Sequence, residues 1–154
     1  QSFEEREKQA KMATGVKVAP ETKTAFDDMK LGRTKLGMMT LAIKDGNVVV
    51  DRTFESSDYA DMTPEQRHEA MINSLDPKSC AYVVIDFHYK DKNDMVQQKI
   101  CLLKWIPDDS NRTDRMTYAA STESVKSALV GVSKEIQAND LSDATYAEFL
   151  AKFQ

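Results

Sequence analysis

The sequence predicts an α+β (mixed α/β) domain: a mainly antiparallel sheet with helices packed on it. Three observations predict it. Two pairs of β-rich segments are each joined by a short polar turn, at Asp45-Gly46-Asn47 and at Lys90 to Asp94. Helix-start signals stand outside those pairs, at Pro20-Glu21 and at Thr63-Pro64-Glu65-Gln66. Near the end, Tyr146, Phe149, Leu150 and Phe153 fall at i, i+3, i+4 and i+7, the spacing of one helix face.

Taken in order, Pro20 suits the first position of a helix and Glu21 its first turn. Ala25, Phe26 and Met29 give that helix an apolar face, and Gly32 stops it. Leu36 to Lys44 and Val48 to about Glu55 read as an antiparallel hairpin, because Asp, Gly and Asn tolerate the positive φ of a tight turn. Ser56 to Met62 is a polar loop. Thr63 then caps a helix with Gln66 placed for a capping box. That helix carries Ala70, Met71 and Leu75 and ends before Pro77. Cys80 to Tyr89 is rich in β-branched and aromatic residues and predicts a central strand, with Met95 to Trp105 as its partner.

Pro107 breaks that strand, and Asp108, Asp109 and Ser110 can start a helix. Arg112, Arg115, Met116 and Ala119 recur on one helical stripe. The stripe is too basic for a core face and too apolar for idle surface, so it reads as a helix presented to a partner protein. Ser121 and Glu123 open a second helical segment carrying Val125, Ala128 and Leu129, and Gly131 ends it. Glu135 to Gln137 is a short extended piece. Ser142 caps the last helix.

The chain has 154 residues, 41% hydrophobic and 30% charged, which suits one domain with a proper core. A net charge of -4 argues against a general nucleic-acid binder, which needs a basic surface. No apolar run reaches the ~18 residues of a membrane-spanning helix. Gln1 to Lys11 is polar and mixed in charge, unlike a secretory signal. It precedes Met12-Ala13-Thr14-Gly15, which reads like a native start, so residues 1–11 are expected to be a cloning remnant or a mobile tail, and 12–154 the domain. Cys80 and Cys101 both lie in apolar strand-like runs and read as reduced, buried side chains rather than a disulfide framework.

Signals for catalysis are weak. His68 and His88 lie on different elements without a metal-ligand spacing, and no metal or cofactor is expected. His68 reads as a solvated helix residue. His88 and Asp86, two apart on a strand, share a sheet face, and a structural hydrogen bond is favoured over an acid/base pair. The five glycines are scattered, so no loop cradles a phosphate.

Several motifs, in register over Met12 to Phe153, resemble the ADF/cofilin family of actin-binding proteins. They are M-A-T-G-V-K-V at Met12 to Val18, W-x-P-D at Trp105 to Asp108, R-M-T-Y-A-A-S at Arg115 to Ser121, L-V-G-V at Leu129 to Val132 and I-Q-A-N-D-L-S at Ile136 to Ser142. The resemblance implies the actin-depolymerising-factor homology fold, a central mixed sheet flanked by helices. It implies a cytoplasmic, non-enzymatic, monomeric protein of the actin cytoskeleton that binds actin monomers, preferring the ADP form, and promotes filament turnover. The family's monomer-binding surface falls here on Thr14, Gly15, Val16, Arg112, Arg115 and Met116. Filament-binding positions fall on Lys99 and Lys152. Thr14 occupies the position at which many relatives are phosphorylated. Phosphoinositide binding, another family property, would fall on Arg112, Arg115, Lys126 and Lys134.

The chain departs from the family pattern in places. Thr113 stands where a base is usual, with Asp114 between it and Arg115. Gln97 replaces one of two strand bases, and Ala151 precedes Lys152 where an acid is usual. These departures predict filament binding and severing weaker than typical. The stretch Met62 to Ser74 also looks longer than the family norm. The competing expectation is a homology-fold adaptor for a non-actin partner.

Overall fold

A computed structural model describes residues 15–154. Its six-stranded sheet has the order β1-β3-β2-β4-β5-β6. Here β1 is Lys17–Val18, β2 Leu36–Lys44, β3 Asn47–Glu55, β4 Ala81–Lys90, β5 Val96–Trp105 and β6 Lys134–Ala138. The four long strands pair antiparallel. Only the two short edge strands, β1 against β3 and β6 against β5, run parallel. The sheet is therefore mixed and mainly antiparallel, as the alternation of hairpins and helices implies.

The helices are α1 Pro20–Lys30, α2 Pro64–Ile72, α3 Arg112–Ala120, α4 Thr122–Ala128 and α5 Tyr146–Ala151. Two apolar clusters lie on the two faces of the sheet, because alternate strand residues point to opposite sides. One holds Met71, Ile72, Phe87, Leu103, Trp105 and Phe149, under α2 and α5. The other holds Val16, Phe26, Tyr82, Tyr118, Val125 and Leu129, under α1, α3 and α4. Cys80 and Cys101 belong to different clusters and are free and buried, so they do not face one another.

Local chemistry sets most boundaries. The β2–β3 turn has Asp45 at φ 52° and Gly46 at φ 77°, the pair of left-handed residues a two-residue hairpin requires. The α2 capping box is complete: Thr63 Oγ1 accepts from Gln66 N at 3.2 Å, and Thr63 N donates to Gln66 Oε1 at 3.1 Å. A bulge at Gly37 lets two residues of β2 oppose one of β3. A Cβ at Gly37 would lie 3.0 Å from both Arg67 Nη2 and Met71 Sδ, so α2 packs directly over bare backbone there.

Five expectations need correction. The loop after β3 contains a 3₁₀ turn, Ser56–Tyr59. The helix after Trp105 starts later than Asp108 to Ser110: Asn111 is the cap, its Oδ1 accepting from Thr113 N and Asp114 N. The last helix is capped by Thr145, not Ser142; a separate 3₁₀ turn, Leu141–Ala144, uses Asp140 as its own cap. His68 is not solvated. It is 1% exposed, and its Nε2 donates to the Ala144 carbonyl at 2.8 Å. Its spacing explains why: Arg67, His68, Met71 and Ile72 form one i, i+3/i+4 stripe, and the apolar members carry the two polar ones into the core; α2 ends at Ile72, so Leu75 is buried but lies past the helix that was expected to carry it.

Candidate functional site

The presented helix is α3, and its two faces have different tasks. Inward, Tyr118 packs beside Tyr82 with ring centroids 5.2 Å apart, and its hydroxyl accepts from Ile43 N at 2.8 Å. Val125 and Leu129 of the following turns continue that buried stripe. Ser121 separates α3 from α4, yet Ser121 N and Val125 N still bond back four residues, so the two run on almost as one rod. Outward, Met116 is 63% exposed, and Arg112 is exposed beside it. A methionine held in water on a rigid rod is a large exposed apolar surface.

Arg115 is half-buried, and its guanidinium turns back onto its own chain. Nη1 donates to the carbonyls of Asp108, at 3.0 Å, and Ser110. The cation thus fixes the loop that leads from Trp105 into α3. Beneath that loop, Cys80 Sγ and Ser110 Oγ are 3.3 Å apart, and burial pushes the Cys80 thiol up.

The start of the described chain comes to the same side of the sheet. Lys17 N donates to Gly46 O, and Ala19 N to Val48 O, which lays residues 17–19 along β3. Gly15 is exposed with φ 65°. Val16 is buried in the cluster that holds Tyr118, Val125 and Leu129. Of the monomer-site residues expected from the sequence, Gly15, Arg112 and Met116 are therefore surface, Arg115 is half-buried and Val16 is an anchor. Thr14 lies outside the described residues.

The two lysines expected at a filament site lie on the other face. Lys99 pairs with Phe87 across β5 and β4 and shares its side of the sheet. Phe153 stacks on Phe87 and Tyr89 at 5.7 and 5.1 Å, which pins the end of the chain against that hairpin. Lys152, exposed at the end of α5, is thereby held on the Lys99 side. Gln97 is engaged within the hairpin, donating to Asp91 Oδ2 at 2.8 Å.

Among the other basic residues, Lys126 pairs with Glu135 at 3.1 Å and Glu123 at 3.6 Å, and its hydrogen bond with Glu135 raises its pKa. Lys104 shares Glu135 at 2.8 Å. Lys134 lies over the Phe153 ring at 5.9 Å.

Asp86 and His88 do meet, with His88 Nε2 donating to Asp86 Oδ2 at 2.9 Å. The sequence does not announce their third partner, Arg67. It is 4% exposed, reaches Asp86 Oδ2 at 3.8 Å and donates from Nη1 to Ser56 Oγ at 3.0 Å. A carboxylate flanked by a buried cation and a histidine is a structural network by charge balance. Among the described residues no group of three or more His, Cys, Asp or Glu could hold a metal ion. No helix among them is long and apolar enough to cross a membrane.

Comparison with known proteins agrees with this architecture. The model of the family described as "Cofilin/tropomyosin-type actin-binding protein" matches residues 15–154. A cofilin of Mycosarcoma maydis is 35% identical over 143 residues, covering 92% of this chain and 96% of its own. Among solved structures, a cofilin of Streptomyces griseoflavus has a TM-score of 0.75 at 24% identity, covering 89% of this chain and 96% of that one. Actin depolymerization factor 2 of Plasmodium berghei has the same TM-score at 23% identity, covering 89% and 94%. With its element order, its presented helix and this match over nearly all described residues, the chain belongs to the cofilin/ADF family.

Proposed function

We propose that this protein binds actin monomers, ADP-actin in preference to ATP-actin, and promotes filament turnover without acting as an enzyme. The observation that carries the reading is the exposed Met116 on the α3 rod. Arg112 lies beside it, and the Gly15–Val16 segment comes to the same side of the sheet. A helix that offers an apolar anchor with flanking cations suits a hydrophobic cleft with an acidic rim. Arg115 serves this surface twice over: its charge lies beside the anchor, and its guanidinium holds the approach loop in shape.

Filament binding through Lys99 and Lys152 is weaker than typical of the family, because Gln97 and Ala151 leave two charges out. Severing is weakened with it. The protein acts as a monomer in the cytoplasm, at the actin cytoskeleton. Phosphate on Thr14 would place about two negative charges beside the monomer surface and oppose binding. Phosphoinositide binding is left to Arg112, Arg115 and Lys134, since Lys126 is committed to Glu123 and Glu135.

The test is a fluorescence titration against labelled ADP- and ATP-actin monomers, followed by cosedimentation with filaments. Replacing Arg115 and Met116 together by alanine is expected to weaken monomer binding by ~2 kcal/mol or more. Unchanged affinity would remove both residues from the site. A wild-type protein that leaves both monomer forms unbound would instead be a homology-fold adaptor.

A further inference from the structure

The stretch between β3 and β4 carries none of the residues assigned to the actin-facing surfaces, and with Val96, which precedes Gln97 on β5, it builds a cleft. Tyr59, Ala60, Met62, Pro64 and Val96 line a space of about 360 Å³, with Arg67 and His88 also bordering it. Met62 is 42% exposed and Val96 52%. Two large apolar side chains from separate elements thus stand in water at one cleft. Next to the lining residues in sequence, Glu55, Asp58, Asp61 and Glu65 are all exposed, while Lys90, opposite Val96 across β4 and β5, is matched by Asp94 at 3.8 Å. Among the described residues none of these four belongs to an ion pair. Arg67, the only lysine or arginine of residues 55–67, does not offset them at the surface, because it is buried against Asp86.

The cleft is remote from α3. Tyr118 bonds to Ile43 near the end of β2, whereas Ser56 N donates to Lys35 O just before β2 begins. At about 3.3 Å per residue, a nine-residue strand puts the two surfaces roughly 26 Å apart.

We propose that this cleft is a second docking surface, for a basic segment of a partner protein that carries an apolar anchor side chain. The anchor enters between Met62 and Val96, and flanking lysines or arginines meet Asp58, Asp61 and Glu65. The sign of the rim selects the occupant: α3 offers Arg112 and suits an acidic partner, while this rim suits a basic one. Methionine at the mouth adapts to anchors of different shape. The distance between the surfaces lets both be occupied at once.

The test uses the full chain and a fluorescein-labelled lysine-rich peptide carrying leucine anchors, read by anisotropy. Control peptides replace the lysines by glutamate or the leucines by serine. Wild-type protein is expected to bind the first peptide saturably, more weakly as salt rises, and neither control. Met62→Ser with Val96→Thr, and separately Asp61→Lys with Glu65→Lys, should each weaken binding at least tenfold while the thermal midpoint and actin-monomer affinity stay unchanged. Absent binding overturns the proposal. So does equal binding to the serine control or to the Met62/Val96 variant, which would reduce the effect to unspecific charge attraction. Concentration-dependent dimerisation abolished by the Met62/Val96 variant would overturn it too, by making a second copy of the chain the occupant.

Discussion

Acid is expected to loosen the last helix through His68, and the structure sets the sign and the limit of the effect. The imidazole lies 4.5 Å from the Phe149 ring and 5.3 Å from Phe87, centroid to centroid. Nε2 donates to the Ala144 carbonyl, while Nδ1 is buried without a hydrogen-bond partner among the described residues. Burial pushes the pKa below its ordinary 6.5, outweighing the opposing pull of Ala144 and Glu69. The folded protein therefore refuses a proton that the unfolded chain accepts. Stability from this group is complete above 6.5 and is lost as pH falls from there toward the folded value. One proton sets the steepest slope at about 1.4 kcal/mol per pH unit. That is a sizeable part of a typical ~5–15 kcal/mol.

His68→Leu removes the titration and leaves the buried Ala144 carbonyl without its donor, at a cost of about 1–3 kcal/mol near neutral pH. Urea unfolding followed by circular dichroism, from about pH 7.5 down to about pH 5, should give a falling curve for wild type and a flatter, lower one for the variant. Asp76, Asp91, Glu135 and Asp140 have carboxyl pKa values held down by hydrogen bonds. They titrate below this window and equally in both proteins. Parallel curves would refute the reasoning. Since Ala144 leads into α5, wild-type filament binding through Lys152 should decline over the same interval.

Asp86→Ala leaves Arg67 as a buried cation without its carboxylate and is expected to cost ~3 kcal/mol in urea unfolding; a loss under about 1 kcal/mol would show that its bonds to Ser56 Oγ and, from Nη2 at 3.4 Å, to the backbone carbonyl of residue 86 suffice for it. Gln97→Lys restores a second base to β5 two residues from Lys99. It should raise the pelleted fraction in filament cosedimentation without changing monomer affinity, and no gain would remove position 97 from the proposed filament surface. Thr63→Ala breaks the capping box and should lower stability by about 1 kcal/mol, read as a reduced urea midpoint with an unchanged slope.

Much of the fold is legible in the sequence because its signals are local. Pro20, the Asp45-Gly46 turn and Thr63-Pro64 each act within a few residues, and the structure has the predicted element at each. The last helix shows the limit of such signals. Ser142 and Thr145 are both acceptable caps, and only the backbone path chooses Thr145, because Asp140 has already closed a separate 3₁₀ turn. Of the candidate site, Met116 was readable as part of an outward stripe with Arg112, Arg115 and Ala119, and it is exposed. The inward turn of Arg115 was not, since its acceptors are carbonyls of a loop whose shape no residue type encodes.

Fold class, element order, family and the outward placing of Arg112 and Met116 on α3 follow from the sequence alone. Periodicity, turn chemistry and motif spacing are one-dimensional properties that survive without coordinates. The fate of the charged residues was set by packing in three dimensions. Arg67 and His68 sit on the α2 stripe that Met71 and Ile72 carry into the core, so packing overrides their preference for water. The bulge at Gly37 lets Arg67 approach Asp86, and Phe153 brings Lys152 to the side of Lys99. Whether a polar group is solvated, neutralised or presented depends on what the rest of the chain places beside it, and that is settled by long-range packing.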